Sequence, residues 1–259
     1  PVLSRRRILP RCRVPQRLKD RIALITGASR GLGAAVARRF AAEGAHVILV
    51  ARTVGGLEEV DDAVKAAGAS ATLVPLDLRQ GEAIDGLAAP LLERFGKIDV
   101  LVGNAGMLGR LTPLRDYPPD LWSEVFQLNV HANWRLIRAI DPLLRRSDAG
   151  RAIFVTSGIT RRSVAYWGAY AASKTALESL ALTYAAETAS TAVRVNLVNP
   201  GPTRTRMRAQ AFPGEDPETL PAPEDLTDAF VALAEPACTL HGQWVAADEW
   251  RAAEGAPKQ

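Results

Sequence analysis

The chain has few of the residues that build disulfide frameworks, metal sites or membrane spans. Its 259 residues include three histidines and two cysteines, Cys12 and Cys238, which lie far apart and form no CxxC pair. This usage indicates neither a disulfide framework nor a metal site, and it fits a reducing compartment best. No apolar run approaches the roughly 18 residues that a membrane-spanning helix needs. We therefore expect a cytoplasmic protein with no bound metal and no membrane partner.

Positive charge is concentrated at one end of the chain. Residues 1–19 hold seven basic residues and no acidic one, so the formal net charge of +4 becomes −3 for the remaining sequence. A body of that charge offers no basic face for nucleic acid. We expect residues 1–18 to form a basic, disordered extension, with a nucleic-acid or targeting arm as the alternative. Residues 19–259 are expected to form a single domain.

Apolar segments typical of strands alternate with helical segments through this domain. The predicted strands cover 21–26, 46–51, 71–76, 99–103, 152–157, 192–198 and 243–246. The predicted helices cover 31–43, 57–67, 82–95, 119–146, 167–189 and 224–234. Strands that are apolar on both faces and alternate with helices indicate an α/β fold: a doubly wound parallel sheet of about seven strands with helices on both faces. Such sheets bind ligands at the carboxyl ends of their strands.

A glycine-rich turn joins the first predicted strand to the first helix, in the sequence TGASRGLG at 26–33. Glycines allow a tight turn and a close backbone approach to a pyrophosphate, which the N–H groups of a helix N-terminus hold. The alternative is a turn whose glycines serve only strand–helix packing. We predict a dinucleotide site, with Gly27, Ser29, Arg30, Gly31, Leu32 and Gly33 in contact with the cofactor.

The end of the second predicted strand indicates which dinucleotide is bound. A carboxylate here would hold the ribose 2′-hydroxyl of NAD, but the strand ends in Ala51, Arg52 and Thr53. Arg52 is a fixed cation suited to a 2′-phosphate, and Arg30 is placed as a second one. Two solvated surface arginines are the alternative. The sequence favours NADP(H) over NAD(H), with Arg52 and Thr53 as contacts.

Polar residues also follow the third and fourth predicted strands. Asp77 and Leu78 are candidates for contact with the adenine, and Asn104, Ala105 and Gly106 are candidates for the wall of the cofactor site. Each group is a weak signal alone, because Asp and Asn at strand ends are often only turn formers.

Tyr170 and Lys174 are four residues apart, so on a helix they lie on one face. An ammonium beside a phenol lowers the phenol pKa from its usual value of about 10, which would suit general acid–base chemistry. Ser157, at the end of a predicted strand, would supply a hydroxyl to the same reacting oxygen. Taken alone, the pair is more simply a helical tyrosine and a solvated lysine.

Together these motifs resemble the short-chain dehydrogenase/reductase family over about residues 18–205. The resemblance is carried by TGASRGLG at 26–33, NAG at 104–106, LNV at 128–130, Ser157, YAASK at 170–174 and NPG at 199–201. It implies that Tyr170 is the catalytic acid/base, that Ser157 orients the substrate oxygen and that Lys174 binds the nicotinamide ribose. Asn129 would hold a water that links Lys174 to solvent. The nicotinamide side would be lined by Pro200, Gly201, Thr203 and Thr205.

The resemblance implies an NADP-dependent oxidoreductase that interconverts a carbonyl and a secondary alcohol by hydride transfer. The alternative is a non-catalytic dinucleotide-binding protein with a regulatory or assembly role. Homologous enzymes further imply a homodimer or homotetramer built on the helices at 119–146 and 167–189. The partner molecule would be a small carbonyl or alcohol substrate. That substrate would be anionic or bulky if four residues face the cleft: Arg161, Arg162, Trp167 and Arg206. The polar segment 206–223 is a candidate lid.

Two stretches depart from the family pattern. Gly103 stands where asparagine is common, a change expected to loosen a backbone hydrogen bond. The C-terminal GQWVAADEW replaces a strand followed by an Asp-Gly-Gly turn, so the outer edge of the sheet is in question there.

Overall fold

The computed structural model describes residues 16–250, which contain a seven-stranded, fully parallel sheet. The strands are β1 (Ile22–Thr26), β2 (His46–Ala51), β3 (Ala71–Pro75), β4 (Val100–Gly103), β5 (Arg151–Val155), β6 (Arg194–Asn199) and β7 (Gln243–Ala246). Their spatial order is β3-β2-β1-β4-β5-β6-β7. The strand order reverses between β1 and β4, so both of these strands end at the crevice where doubly wound sheets bind ligands.

Helices join the strands on both faces of this sheet. They are α1 (Gly31–Ala42), α2 (Val54–Ala66), α3 (Gly81–Asp85), α4 (Ala88–Phe95), α5 (Pro119–Phe126), α6 (Ala132–Leu144), α7 (Gly168–Thr188), α8 (Arg206–Ala211) and α9 (Thr227–Ala234). None of the helices within residues 16–250 combines the length and the apolar character that a membrane crossing demands. Within the same residues, no group of three or more His, Cys, Asp or Glu side chains is arranged to hold a metal ion.

Side chains that alternate along each strand pack into two separate apolar cores. In β1, Ile25 lies in the core beneath α1 and α9, whereas Leu24 lies in the core beneath α4, α6 and α7. Leu49 and Ile48 divide in the same way in β2. A strand with both faces buried must be apolar throughout, which is why the strands read as continuous apolar runs. The predicted doubly wound α/β fold is confirmed.

Two of the predicted helices are interrupted. The segment predicted as one helix at 82–95 is divided at Gly86, because glycine is unfavourable inside a helix. The segment predicted as one helix at 119–146 contains a π-helical turn at Gln127–His131 between α5 and α6. Such one-turn insertions are common at functional sites, and this one carries Asn129.

The two departures from the family pattern have structural counterparts. A Cβ at Gly103 would lie 2.5 Å from Asn133 Oδ1 and 2.6 Å from Phe154 Cδ1, so the neighbouring strand and α6 occupy the space of the missing side chain. The C-terminal Gln243–Ala246 pairs with β6 as a parallel edge strand. The outer edge of the sheet therefore forms despite the altered sequence.

The folded part of the chain begins earlier than predicted. Leu18 is fully buried, and its N–H donates to the Glu43 carbonyl at 2.9 Å. Arg17 donates its backbone N–H to Glu43 and forms an ion pair with Glu235. The predicted boundary between the extension and the domain, at residue 18, is therefore wrong, because Arg17 and Leu18 belong to the domain. The rest of the predicted extension, residues 1–15, lies outside the described part of the chain.

A buried carboxylate aligns three strands at the edge opposite the crevice. Asp99 has no exposed surface and accepts hydrogen bonds from Ile22 N–H at 2.9 Å and Ser147 Oγ at 2.5 Å. Lys97 Nζ lies 2.9 Å from the same carboxylate. The Arg21 guanidinium donates to the carbonyls of Asp99 and Ala149 beside it. Burial alone would raise the pKa of Asp99, but these donors outweigh burial and lower the pKa.

We predict that Asp99→Asn lowers the free energy of unfolding by about 2–4 kcal/mol, because it removes one partner of a buried charge cluster. Urea denaturation at pH 7 would measure this loss. Since the folded-state pKa of Asp99 is depressed, its stabilisation is complete above pH about 4 and is lost below it. The wild-type advantage should therefore shrink in acid. Asp116→Asn, at an exposed position, is the control, and equal losses for both variants would contradict the assignment.

Candidate active site

The glycine turn follows β1 and begins α1. Gly27 and Gly31 have positive φ angles of 64° and 55°, a backbone conformation that side-chain-bearing residues rarely adopt. Gly33 is required for a different reason: a Cβ there would lie 2.3 Å from the Gly27 carbonyl oxygen and 2.5 Å from Asn104 Nδ2. Gly33 is therefore needed for close packing, as the alternative interpretation of the turn expects, whereas Gly27 and Gly31 are needed for the backbone conformation of the turn.

The start of α1 fits the pyrophosphate of a dinucleotide. Arg30 precedes the helix and forms no side-chain cap, so the first N–H groups of α1 receive no capping hydrogen bond from its side chain. Helix N-terminal N–H groups bind phosphate. Thr205, from the loop after β6, approaches from the other side, with Cγ2 3.6 Å from the position of a Gly31 Cβ. The glycine turn and that loop are thus the two sides of one groove.

Thr26 fastens the glycine turn to the loop after β4. Its hydroxyl donates to the Val102 carbonyl at 3.2 Å and accepts from the N–H groups of Asn104 and Ala105, each at 3.0 Å. Asn104 Nδ2 returns a hydrogen bond to the Thr26 carbonyl at 2.8 Å. The role of Thr26 was not predicted from the sequence, although its place at the end of the first strand was the available signal.

The charged residues at the ends of β2 and β3 form a cluster. Arg30 and Arg52 are exposed, and Arg52 Nη1 lies 3.9 Å from Asp77 Oδ2. Asp77 is instead held by Arg79, whose Nη2 lies 2.7 Å from Oδ2 and whose backbone N–H is 3.0 Å from Oδ1. The Arg79 hydrogen bond lowers the pKa of Asp77. The carboxylate predicted to contact the adenine is therefore already paired, and Arg52 keeps an exposed guanidinium.

The remaining predicted cofactor residues differ in exposure. Leu32 and Leu78 are buried, and Leu78 belongs to the core beneath α4, α6 and α7. Ser29 packs against α2, where a Gly56 Cβ would lie 2.9 Å from its Cβ. Thr53 is exposed and immediately precedes α2. Any cofactor contact by the buried Leu78 would have to use its backbone.

Asn129, in the π-helical turn, ties the loop after β4 to α7. Its Oδ1 accepts the Met107 N–H at 2.9 Å, and its Nδ2 donates to the Met107 carbonyl at 3.0 Å and to Ser173 Oγ at 2.9 Å. Both amide hydrogens are thereby used. A water relay through Asn129 stays a prediction, and it would have to use the main-chain carbonyl or the second lone pair of Oδ1.

Ser157 lies on a turn after β5 that contacts the loop after β6. The strand ends at Val155, so Ser157 stands two residues beyond it, where its Oγ accepts the Ile159 N–H at 3.4 Å. Asn199 Oδ1 accepts the N–H groups of Gly158 at 2.9 Å and Gly201 at 3.2 Å. Asn199 therefore fixes the Ser157 turn relative to the NPG loop. This role of Asn199 was not predicted from the sequence, where Asn199 is only the first residue of the NPG motif.

The Tyr170 side chain is buried at the first turn of α7, and its phenol lies near the Ser157 hydroxyl. Burial raises the pKa of the phenol to about 12, and the interaction with Ser157 only partly opposes this. The expected lowering of the Tyr170 pKa by Lys174 is therefore wrong for this structure. The two side chains do share one helix face, but loss of hydration, and not the Lys174 charge, determines the shift of the phenol pKa.

Lys174 is buried beside Tyr170, so the solvated-lysine alternative is wrong. Its Nζ donates to the Val155 carbonyl at 2.8 Å and lies 5.9 Å from the centre of the Tyr170 ring. Burial lowers the pKa of Lys174 to about 8, and the charge of Glu178 opposes that shift. A Cβ on Gly106 would lie 3.4 Å from Nζ and 3.2 Å from Asn129 Oδ1. The loop after β4 thus reaches the catalytic candidates directly.

The loop after β6 closes the far side of the groove. Gly201 has a φ of 72°, and a Cβ there would lie 2.5 Å from Asp248 Oδ2. Thr203 is buried and donates to the Gly201 carbonyl at 3.1 Å. Pro200 is half-buried at the start of this loop, and Thr205 Oγ1 caps α8 by accepting the Arg208 N–H at 3.2 Å.

An apolar wall adjoins the Tyr170 phenol. The cluster consists of Leu108, Ile159 and Tyr170, with Leu111, Trp167, Ala171, Met207 and Ala211 packed against it. The Trp167 ring lies 6.0 Å from that of Tyr170 and 5.7 Å from that of Phe212. Phe212 follows α8, so the segment predicted as a polar loop at 206–223 contributes a helix and an aromatic ring to this wall. Lid motion of this segment stays a prediction.

The arginines predicted to face the cleft have different surroundings. Arg161 lies 3.6 Å from Glu178 Oε2, and its guanidinium is 5.0 Å from the centre of the Trp244 ring. Arg162 and Arg206 are exposed. Arg208 is paired with Glu215 through two contacts of 2.6 Å and stacks on Phe212 at 3.8 Å. The groups that adjoin the phenol are the apolar cluster and the Lys174 ammonium.

Known proteins resemble this chain over most of its length. An E. coli K12 protein named uncharacterized oxidoreductase YciK is 40% identical over 219 residues, covering 83% of this chain and 86% of that protein. A short chain dehydrogenase structure from Pseudomonas syringae is 43% identical, with a TM-score of 0.88 over 90% of this chain and 97% of its own. Another short chain dehydrogenase structure, from E. coli CFT073 and complexed with NADPH, is 38% identical. Its TM-score is 0.86, and the match covers 90% of this chain and 98% of that one.

A sequence model of the family described as short chain dehydrogenase matches residues 21–216. This range includes the glycine turn, the Ser157 turn, the Tyr170–Lys174 helix and the NPG loop. The resemblance inferred from the motifs is thus confirmed by sequence and by structure. The chain is an oxidoreductase that belongs to the short-chain dehydrogenase family.

Proposed function

We propose that the protein interconverts a carbonyl and a secondary alcohol, using NADP(H), with Tyr170 as the general acid/base. The observation that carries the proposal is the buried Tyr170 phenol, which lies beside Ser157 and Lys174 at the edge of the sheet that also holds the glycine turn. Under this proposal the phenol exchanges its proton with a substrate oxygen that occupies the site.

The side chains divide the reaction as follows. A bound nicotinamide supplies the hydride or accepts it. Ser157 donates a hydrogen bond to the substrate oxygen, where negative charge develops during reduction. With its pKa raised to about 12, Tyr170 is neutral at pH 7 and holds the proton that this oxygen needs. Lys174 keeps a positive charge near that oxygen, and we propose that it also binds the nicotinamide ribose.

NADP(H) is the proposed cofactor because the end of β2 carries cations and no carboxylate. Arg52 leaves 66% of its side chain exposed, and the nearby Asp77 is paired with Arg79. Arg30 stands exposed at the start of α1, next to the same groove. Guanidinium groups favour phosphate through paired, charge-assisted hydrogen bonds. The NADPH complex of the E. coli CFT073 relative supports the same choice.

The proposed substrate is an apolar carbonyl compound. Trp167, Phe212 and the Leu108–Ile159 cluster adjoin the phenol, and a substrate carbon skeleton would pack against them. Apolar side chains continue outward along the rim: Leu114 is 66% exposed and Tyr166 58% exposed. A substrate that covered them would gain roughly 25 cal/mol for each Å² of apolar surface buried.

Homo-oligomer formation remains part of the proposal. Trp134 on α6 and Leu182 on α7 are each 44% exposed, although both side chains are large and apolar. A second copy of the chain packed on these helices would cover them.

Tyr170→Phe should reduce kcat by at least about 100-fold, because it removes only the proton that the phenol supplies. The dissociation constant for NADPH, measured by fluorescence titration, should change less than about twofold. Tyr184→Phe, at a buried tyrosine of α7 whose hydroxyl donates to Asp141 and has no proposed part in the reaction, should keep the wild-type kcat. Turnover that survives in Tyr170→Phe would refute the assigned role.

Arg52→Ala should weaken NADPH binding by about 10- to 100-fold, the loss expected for one charge-assisted phosphate contact. NADH binding should stay nearly constant, because NADH lacks the 2′-phosphate. Isothermal titration with both cofactors measures the difference. Arg146→Ala, at an exposed arginine after α6, serves as the matched control. Equal losses for both cofactors would mean that Arg52 does not contact that phosphate.

The substrate assignment predicts a preference between two ketones of similar shape. With NADPH, kcat/KM for acetophenone should exceed that for 2-oxo-2-phenylacetate, whose carboxylate would enter the apolar wall. Phe212→Ala should lower the acetophenone value by about tenfold, since burying an aromatic ring contributes about 1.5–3 kcal/mol. Leu240→Ala, another exposed apolar position, should leave it unchanged. Preference for the keto acid would instead favour recognition by Arg162 or Arg206.

A further inference from the structure

Glu178 is a buried acid that the proposed chemistry does not use. It lies four residues after Lys174 on α7, on the same face of that helix, and only 7% of its surface is exposed. Buried carboxylates are costly unless several donors satisfy them. The donors that surround Glu178 therefore show which parts of the chain its carboxylate connects.

Three donors meet at one oxygen of Glu178, and two of them flank Ser157. Glu178 Oε1 accepts from Thr156 Oγ1 at 2.6 Å and from Thr160 Oγ1 at 2.8 Å. Thr160 Oγ1 also lies 2.9 Å from the Ser157 carbonyl oxygen, so its one hydrogen is shared between that carbonyl and Glu178. The third donor is Trp244 Nε1 at 2.9 Å. Hydrogen bonds to an ionised acceptor are about twice as strong as neutral ones. The carboxylate thus accepts hydrogen bonds from residues before and after Ser157 in the turn that carries it.

The third donor comes from the C-terminal strand that departs from the family pattern. Trp244 lies in β7, and Arg161 stacks on its indole while lying 3.6 Å from the other carboxylate oxygen of Glu178. The same C-terminal stretch reaches the NPG loop, because Asp248 fills the space of a Gly201 side chain. Two contacts therefore connect the unusual C-terminus to the loops around the groove.

We propose that Glu178 is a positioning residue that holds the Ser157 turn on α7, beside Tyr170 and Lys174, and that Trp244 links the C-terminal strand to this turn. The inference rests on the proposed function for its catalytic consequence. Its structural part stands separately, because the hydrogen bonds and the burial of the carboxylate do not depend on the reaction.

The first test measures local opening of the turn and needs no substrate. Glu178→Gln keeps the size of the side chain but removes the charge that strengthens the three hydrogen bonds. Hydrogen exchange of peptides covering residues 156–162 should become faster in this variant, with the melting temperature measured in parallel. Glu187→Gln, an exposed acid on the same helix, is the matched control and should exchange as wild type does. Unchanged exchange in Glu178→Gln would overturn the proposal.

The second test measures catalysis with NADPH and a carbonyl substrate. Glu178→Gln should lower kcat by about 10- to 100-fold, as small misplacements of reacting groups do. The NADPH dissociation constant should stay within about twofold, because the hydrogen bonds and ion pair of Glu178 go to Thr156, Thr160, Trp244 and Arg161, none of which is a predicted cofactor residue. Trp244→Phe, which removes only the indole donor, should lower kcat in the same direction but by less. Wild-type kcat in Glu178→Gln would contradict the positioning role.

A pH profile separates positioning from a general loss of structure. Arg161 and Lys174 are the charged groups that face Glu178, and Tyr170 is the titratable group beyond Lys174. Without the negative charge, the pKa of Lys174 should fall further below its ordinary value, so the loss of kcat at high pH should begin at lower pH than in wild type. A profile of unchanged shape would count against the proposal. If wild type itself reduced no carbonyl, the proposed function would fail, while the exchange experiment would still decide the structural part.

Discussion

The hydrogen bonds of Thr26 join the two halves of the sheet at the point where the strand order reverses. Its hydroxyl, at the end of β1, donates to the Val102 carbonyl of β4 and accepts from the N–H of Asn104 in the loop after β4. The Asn104 side chain donates to the Thr26 carbonyl, at the start of the glycine turn. From there the contacts are continuous: Gly106 adjoins Asn129 and Lys174, and Asn129 binds Ser173 on α7. The groove that fits a dinucleotide and the helix that carries Tyr170 are therefore held in register by neutral hydrogen bonds, which salt does not screen.

Burial sets the ionisation of the site more strongly than neighbouring charges do. Tyr170 and Lys174 are both pushed toward their neutral forms, the phenol by a raised pKa and the ammonium by a lowered one. Glu178 resists only the second of these shifts. A neutral phenol beside an ammonium that is still largely protonated at pH 7 makes a proton donor rather than a resting base. Under the proposed function, the ligand-free site therefore holds the proton that reduction of a carbonyl consumes.

The order of the strands and helices, and the catalytic candidates, followed from the sequence because both depend on local patterns. Apolar runs mark strands whose two faces are buried, and the Tyr170–Lys174 spacing marks one helix face. The pKa of Tyr170 did not follow, since spacing reveals a neighbouring charge but not the loss of hydration. The pairing of Asp77 with Arg79 was missed because a strand-end carboxylate looks the same in sequence whether it is free or paired. Glu178 was missed because its donors, Thr156 and Trp244, come from distant parts of the chain.

Under the proposed assignment, the exposure of Arg52 makes the preference for NADP(H) depend on ionic strength as well as on the protein. Two-thirds of its side chain is open to water, where charges are screened beyond about 8 Å at physiological ionic strength. Hydrogen bonds around the buried phenol carry no such dependence. Rising salt would therefore weaken discrimination between phosphorylated and unphosphorylated cofactor while leaving the proton transfer intact. Varying the ionic strength would therefore separate recognition of the cofactor 2′-phosphate from proton transfer by Tyr170 in the same enzyme.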